Sequence, residues 1–134
     1  MPGVKQQVEI VKAADVGKAS TGQTEGMIRK AALVGCSDKI CSSVMVAEPK
    51  SSSAIHHHGE QDTVVYALSG KGSIVYGPDA SQRRDLSPGD HCLIPAFVEH
   101  QEINDSDGPV TWVIVRSPGP HPIVENLEGW GSSK

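Results

Sequence analysis

Apolar and polar positions alternate along this chain in short runs, each cut off by glycine, proline or a serine cluster. A period of two is the signature of half-buried strands, and the runs are too short for amphipathic helices. Val4 to Lys12 reads as a first strand, and Ala13 to Gly26 as a Gly/Ser/Thr-rich connection with one helical turn at Ala14-Asp15-Val16. Met27 to Gly35 and Ile40 to Ala47 are the next strands, separated by the turn Ser37-Asp38-Lys39. Pro49 and the serines at 51, 52 and 53 then favour a solvated loop. Thr63 to Leu68 is the most β-prone run, turned back by Ser69-Gly70-Lys71-Gly72 onto Ser73 to Tyr76 as a hairpin. Gln82 to Leu86, His91 to Ile94, Glu99 to Ile103 and Val110 to Arg116 follow, with Ser87-Pro88-Gly89-Asp90 and Pro95 as stops. Beyond Ser117 the chain is rich in Pro and Gly, a loose tail over 118–134 with Trp130 as its one anchor. Roughly ten short strands with turn signals every eight to twelve residues predict an all-β sandwich or barrel.

Composition narrows this reading. At 134 residues the chain is one domain, its barrel over residues 27–117 and its first strand over 4–12. Only five residues are aromatic, so the core rests on aliphatic side chains. Val44, Val46, Val65, Ala67, Leu93, Ile94, Val113 and Val115 are the expected barrel wall. The net charge of −4 and the lack of a basic cluster beyond Arg83-Arg84 argue against nucleic acid as a partner. No apolar run has bilayer length and Met1 to Lys5 opens no signal sequence, so a cytoplasmic protein away from membranes is expected. Cys36, Cys41 and Cys92 lack a metal-finger spacing and read as reduced thiols.

The chemistry concentrates in His56-His57-His58 and, some forty residues on, in His100. In a strand His56 and His58 share a face, their Cα atoms roughly 7 Å apart, close enough for both imidazoles to reach one ion. His57 points the other way, to the surface or a neighbouring strand. His91 enters a buried strand as a core or pocket residue, and His121 sits in the tail between two prolines. Glu102, two positions after His100, shares its facing and is a candidate base or a partner for a ligating imidazole. Gln101 points away, and Asn104 is placed to fix the turn after its strand.

These residues resemble a cupin. His56-x-His58 and Gly70 match the family's first motif, and Gly89, Pro95, His100 and Asn104 match its second at the expected spacing. The resemblance implies one jelly-roll barrel and a metal held by His56, His58 and His100. Lys50 and Phe97 stand where the motifs have glycine. The acid of the first motif is ambiguous. Counting on from His58 lands on Asp62, whereas counting back from Gly70 lands on Thr63, and one residue reverses the face. Asp62 is thus a possible fourth ligand, reachable only through a bulge.

Imidazole nitrogens suit Fe, Zn, Ni, Mn and Cu alike, so the expected cofactor is one divalent transition metal. Fe(II) is favoured by the resemblance to three-histidine cupin dioxygenases, which implies a dioxygenase for a small oxygenated or aromatic metabolite. A Zn or Ni isomerase, cyclase or lyase is the non-redox alternative, and a non-catalytic ligand-binding barrel the alternative of another class. Glu102, Asp62 and His91 are the candidate catalytic acids and bases. The resemblance also implies a homodimer, with the first strand exchanged or packed between copies.

Overall fold

The computed structural model describes residues 7–18 and 26–132. After a single 3-10 turn at Ala13–Asp15 come β1 (Met27–Ala31), β2 (Cys41–Ala47), β3 (Ser51–Ser52), β4 (His56–His57), β5 (Asp62–Ser69) and β6 (Gly72–Tyr76). A second short turn, Pro78–Ala80, leads to β7 (Gln82–Leu86), β8 (His91–Ile94), β9 (His100–Asn104), β10 (Val110–Ser117) and β11 (Glu125–Asn126). One sheet runs β1-β2-β10-β5-β8 and the other β11-β4-β9-β6-β7, with β3 also pairing β9. All pairings are antiparallel. Two facing antiparallel sheets whose sequential strands cross between layers make the jelly roll.

The core lies between the sheets: Met27, Met45, Ala47, Val65, Ala67, Ile74, Leu86, Ile94, Val110, Trp112 and Ile114 are all buried. Trp112 dominates it and explains Gly72, since a Cβ there would stand 2.7 Å from the indole. The expected wall is right at Val65, Ala67 and Ile94 but one residue out of phase in β2 and β10. Val44, Val46, Val113 and Val115 are only half-buried, and Leu93 is 62% exposed. Met45, Ala47, Trp112 and Ile114 take the inner positions instead, because a strand apolar on both faces carries no alternation to betray its phase.

The ends of the chain also depart from expectation. Residues 7–12 pair with no strand among the described residues, and Val8 and Ile10 are 93% and 71% exposed; the rest of the expected first strand, 4–6, lies outside the described residues. The segment after Ser117 is held rather than loose. Buried Gln61 donates to the carbonyls of Pro118 and His121 and accepts from the Ile123 amide, all within 2.9 Å. Arg116 donates to Ile123 O at 2.8 Å, and β11 then pairs with β4.

Lys50 and Phe97 have φ of 57° and 62°, the left-handed region that glycine enters without cost. The backbone demand of the two glycine positions is therefore kept while the glycine is not. Lys50 gains a compensating bond, its Nζ donating to Asp105 O at 2.6 Å.

Candidate metal centre

His56 and His100 are register partners on the adjacent antiparallel strands β4 and β9, so their side chains leave the sheet on the same side. His58 follows two residues after His56, and Glu102 two residues after His100, which keeps both on that inner face. The three rings close on one another, with centroids 4.4 Å (His56–His100), 4.6 Å (His58–His100) and 5.1 Å (His56–His58) apart. One ligand atom from each of His56, His58, His100 and Glu102 lies within 4.8 Å of all the others, and all four residues are buried.

The outer nitrogens are spoken for. Nδ1 of His56 donates to Ala54 O at 2.8 Å and Nδ1 of His100 to Val98 O at 2.9 Å, since a carbonyl can only accept. Nδ1 of His58 bonds Thr63 Oγ1 at 2.8 Å. Fixing Nδ1 as the donor in His56 and His100 leaves Nε2 as a lone pair aimed inward. Glu102 Oε2 lies 2.8 and 2.7 Å from the Nε2 atoms of His56 and His100, yet the approach is not that of a hydrogen bond. All three Nε2 atoms and Oε2 thus remain buried without a hydrogen-bond partner. Orphaned buried donors and acceptors are costly and rare, and four converging on one point fit a cation with three nitrogen ligands and one oxygen ligand.

The electrostatics hold His58 and Glu102 in their binding forms and leave His56 easier to protonate. Burial, with the charges of Arg116 and His100 adding to it, pulls His58 down to about 2, so it stays neutral. Burial pushes Glu102 upward, but His56 and His100 more than offset this and hold it well below the usual carboxylate range. For His56, burial lowers the pKa, and the charge and contact of Glu102 outweigh it, raising it overall. A neutral imidazole and an ionised carboxylate are what a metal requires.

Two further cations face this cluster, and neither was singled out from the sequence. Arg29 Nη2 is 3.5 Å from Glu102 Oε1, and the buried Arg116 lies in the same barrel row as Thr63. Burial lowers the pKa of Arg116 against the raising effect of Glu102. Only the alternation Trp112-x-Ile114-x-Arg116, read in the correct phase, would have shown that guanidinium turned inward.

The other candidates separate cleanly. Asp62 faces outward and accepts from the Ala96 amide at 2.9 Å, while Thr63 is fully buried. No bulge reverses β5 at this point, so the count back from Gly70 describes the strand and Asp62 stays outside the cluster. The carboxylate comes from β9 instead of β5. His91 is exposed, its ring 4.9 Å from Tyr66, and lies at the rim of a cavity rather than beside the three histidines. His57 faces away from the cluster as expected, but is buried under the C-terminal segment, with Glu125 Oε2 3.4 Å away and Phe97 beside it. Asn104 fixes its turn: Nδ2 donates to Ala47, Glu48 and Gly108 carbonyls, and Oδ1 accepts from Ser106.

A cavity of about 590 Å³ opens between the edge strands β7 and β8 and reaches His100. Its walls include Ile74, Leu86, Ile94 and Val98, which suits a small ligand with an apolar body.

The family comparison agrees with this architecture. The cupin domain model matches residues 43–116, more than half of the chain. Among solved structures, an uncharacterized conserved protein with a double-stranded β-helix domain from Klebsiella pneumoniae is 20% identical with a TM-score of 0.68. That match covers 90% of this chain and 100% of that one. Oxalate decarboxylase from Bacillus subtilis, solved at pH 4.6, is 23% identical with a TM-score of 0.68 over 78% of this chain and 28% of its own. A study of the Mn(II) centres of the same decarboxylase gives the same identity and TM-score, covering 78% of this chain and 29% of that one. The chain therefore spans less than a third of the decarboxylase's length. No curated protein matches. By its sequence motifs, its two-sheet barrel and the family match, the chain belongs to the cupin domain family.

Proposed function

We propose that this cupin is a metal-dependent enzyme in which His56, His58 and His100 hold one divalent transition metal, with Glu102 as its oxygen ligand. The observation that carries the reading is the convergence of four buried, otherwise unpartnered ligand atoms. Fe(II) and a dioxygenase reaction on a small oxygenated or aromatic metabolite remain the first choice. Mn(II) is the second, since the similar decarboxylase has Mn(II) centres. Bound there, such an ion would offer open positions for a chelating substrate and act as a Lewis acid or redox centre.

The rest is done by the chain. Thr63 and the backbone carbonyls of Ala54 and Val98 hold the imidazoles in place, and Arg29 steadies the far oxygen of Glu102. The aliphatic residues of the cavity wall offer the apolar body of a ligand its contact surface. Glu102, expected as a base or as a partner for a ligating imidazole, joins the ligand set in this reading, which leaves no other carboxylate of the described residues in the cluster for proton transfer. Metal analysis of protein purified without added metal, followed by oxygen uptake on diketones and catechols, tests the reading. Stoichiometric iron with uptake is expected. Zinc without uptake shifts the assignment to non-redox chemistry, and protein unable to bind any divalent metal overturns the proposal.

A further inference from the structure

The inner faces of the barrel are not electrically balanced. Three arginines lie on them: Arg29 on β1, Arg84 on β7 and Arg116 on β10; the one strand carboxylate that faces them among the described residues is Glu102. Arg29 and Arg116 are buried around the histidines, whereas Arg84 stands at the opening. It pairs in register with Ile74, which in turn pairs with Glu102, so all three share the inner side of their sheet. Two strand spacings separate Arg84 from Glu102, about 10 Å between backbones. The guanidinium carbon sits 5.8 Å from the centre of the Tyr76 ring, and Tyr76 is the register partner of His100. Across the gap on β8, Cys92 feels its charge.

Two carboxylates, Asp85 and Asp90, also line the cavity, and both are engaged. Arg83, facing the other side, takes Asp85 at 2.8 Å and Asp105 at 2.9 Å. Asp90 turns back to accept the Ser87 amide at 2.8 Å. Among the described residues no carboxylate pairs with Arg84, so a cation stacked on an aromatic ring waits at the mouth of an apolar cavity. A metal of charge +2 would add to the excess of positive charge inside. A guanidinium at the mouth that no described carboxylate pairs gains most from a ligand that brings its own negative charge.

We propose that the ligand of this cavity is a small organic carboxylate, and that Arg84 pairs with its carboxylate at the mouth while the apolar body lies along Ile74, Leu86 and Ile94. This rests on the reading of the cavity as the substrate site, and it adds the substrate class and a specificity-determining residue. Guanidinium is suited to the role because its planar fork takes a carboxylate through two parallel hydrogen bonds.

Calorimetric titration with benzoate and its neutral counterpart benzamide tests the proposal. Wild type, Arg84→Gln and Arg84→Lys are compared, each with Co(II) bound and after chelation, with far-UV circular dichroism confirming the fold. Benzoate is expected to bind wild type about tenfold tighter than benzamide. That preference should vanish in Arg84→Gln, survive in weakened form in Arg84→Lys, and persist without metal. Equal affinities in wild type, no binding of either compound, or an undiminished preference in Arg84→Gln would overturn it. So would a preference that disappears with the metal alone, since the carboxylate would then be a metal ligand. Failure to bind Co(II) with the Arg84-dependent preference intact sinks only the metal reading, and full Co(II) loading without the preference sinks only this one.

Discussion

Both faces of the five-stranded sheet carry many apolar residues, and the buried arginines lie on the inner one. Its inner face carries Arg29, Arg116 and Thr63 among Met45, Trp112, Val65 and Ile114. Its outer face carries Ile28, Val44, Val46, Val113, Val115, Val64, Leu68 and Leu93, of which Ile28, Val64, Leu68 and Leu93 are 39–62% exposed. Buried polar groups cost free energy unless they are satisfied, so an inner face that keeps two guanidiniums and a threonine does so for a partner. For Arg29 and Thr63 that partner is the cluster, through Glu102 and His58, and for Arg116 it is the Ile123 carbonyl of the C-terminal segment. Among the described residues the outer face has no such occupant.

The sharpest way to break the comparison is to remove one inward histidine and the outward one between them. His56→Ala or His100→Ala should lower metal affinity by about 100-fold or more, whereas His57→Ala should retain the metal. Equal loss in all three, measured by metal content after dialysis, would contradict the assigned facing. Next in size is the core. Trp112→Ala should cost about 3–5 kcal/mol and Val113→Ala, one residue on but facing out, about 1 kcal/mol, read from urea unfolding of the metal-free protein. Similar losses at the two sites would mean the phase of β10 is wrong.

That phase was the part of the fold least legible beforehand. Turn residues at regular intervals, Ser69 to Gly72 and Ser87 to Asp90 among them, were enough to expect an all-β sandwich or barrel. The paired histidines and the distant His100 were visible because few residue types bind metals at that spacing. Val-Thr-Trp-Val-Ile-Val-Arg is apolar on both faces, however, so periodicity could not say which row is inside, and Arg116 was hidden with it. Asp62 competed with Thr63 because two counts differ by one residue, and only the strand register decides between them. Gln61, which ties down the C-terminal segment through three bonds, looks like any surface glutamine in the sequence.

The pH dependence separates the buried cluster from the rest. His58 has a folded pKa pulled down to about 2, so below the ordinary histidine range the unfolded chain takes up a proton that the folded chain refuses. Metal-free protein should lose stability as pH falls from about 6.5, by at most about 1.4 kcal/mol per pH unit for this one proton. His56 is shifted up and works in the opposite direction: its contribution is complete at low pH and is lost only as pH rises through its folded pKa. Glu102, shifted down, contributes above the ordinary carboxylate range and is lost only as pH falls through its lower folded pKa. A flat stability profile between pH 6.5 and 5 in urea unfolding would contradict the burial of His58.

The outer face offers a test of its own. The expected homodimer would bury this surface, so light scattering after size exclusion should find a dimer that Leu93→Glu dissociates while leaving monomer stability within about 0.5 kcal/mol. A monomeric wild type would show that the face stays in water. The smallest effect expected is at Phe97, whose left-handed backbone costs about 1–2 kcal/mol in a residue with a side chain. Phe97→Gly should raise stability by about 0.5–1 kcal/mol once the greater freedom of the unfolded glycine is subtracted. A loss instead would mean that its contact with His57 is worth more than the backbone cost.

X-ray absorption spectroscopy at the edge of the bound metal bears most directly on the central claim. Three imidazole nitrogens and a carboxylate oxygen at about 2.0–2.2 Å are predicted, with one imidazole lost in His100→Ala. A coordination shell of water oxygens alone, or one unchanged in His100→Ala, would contradict it.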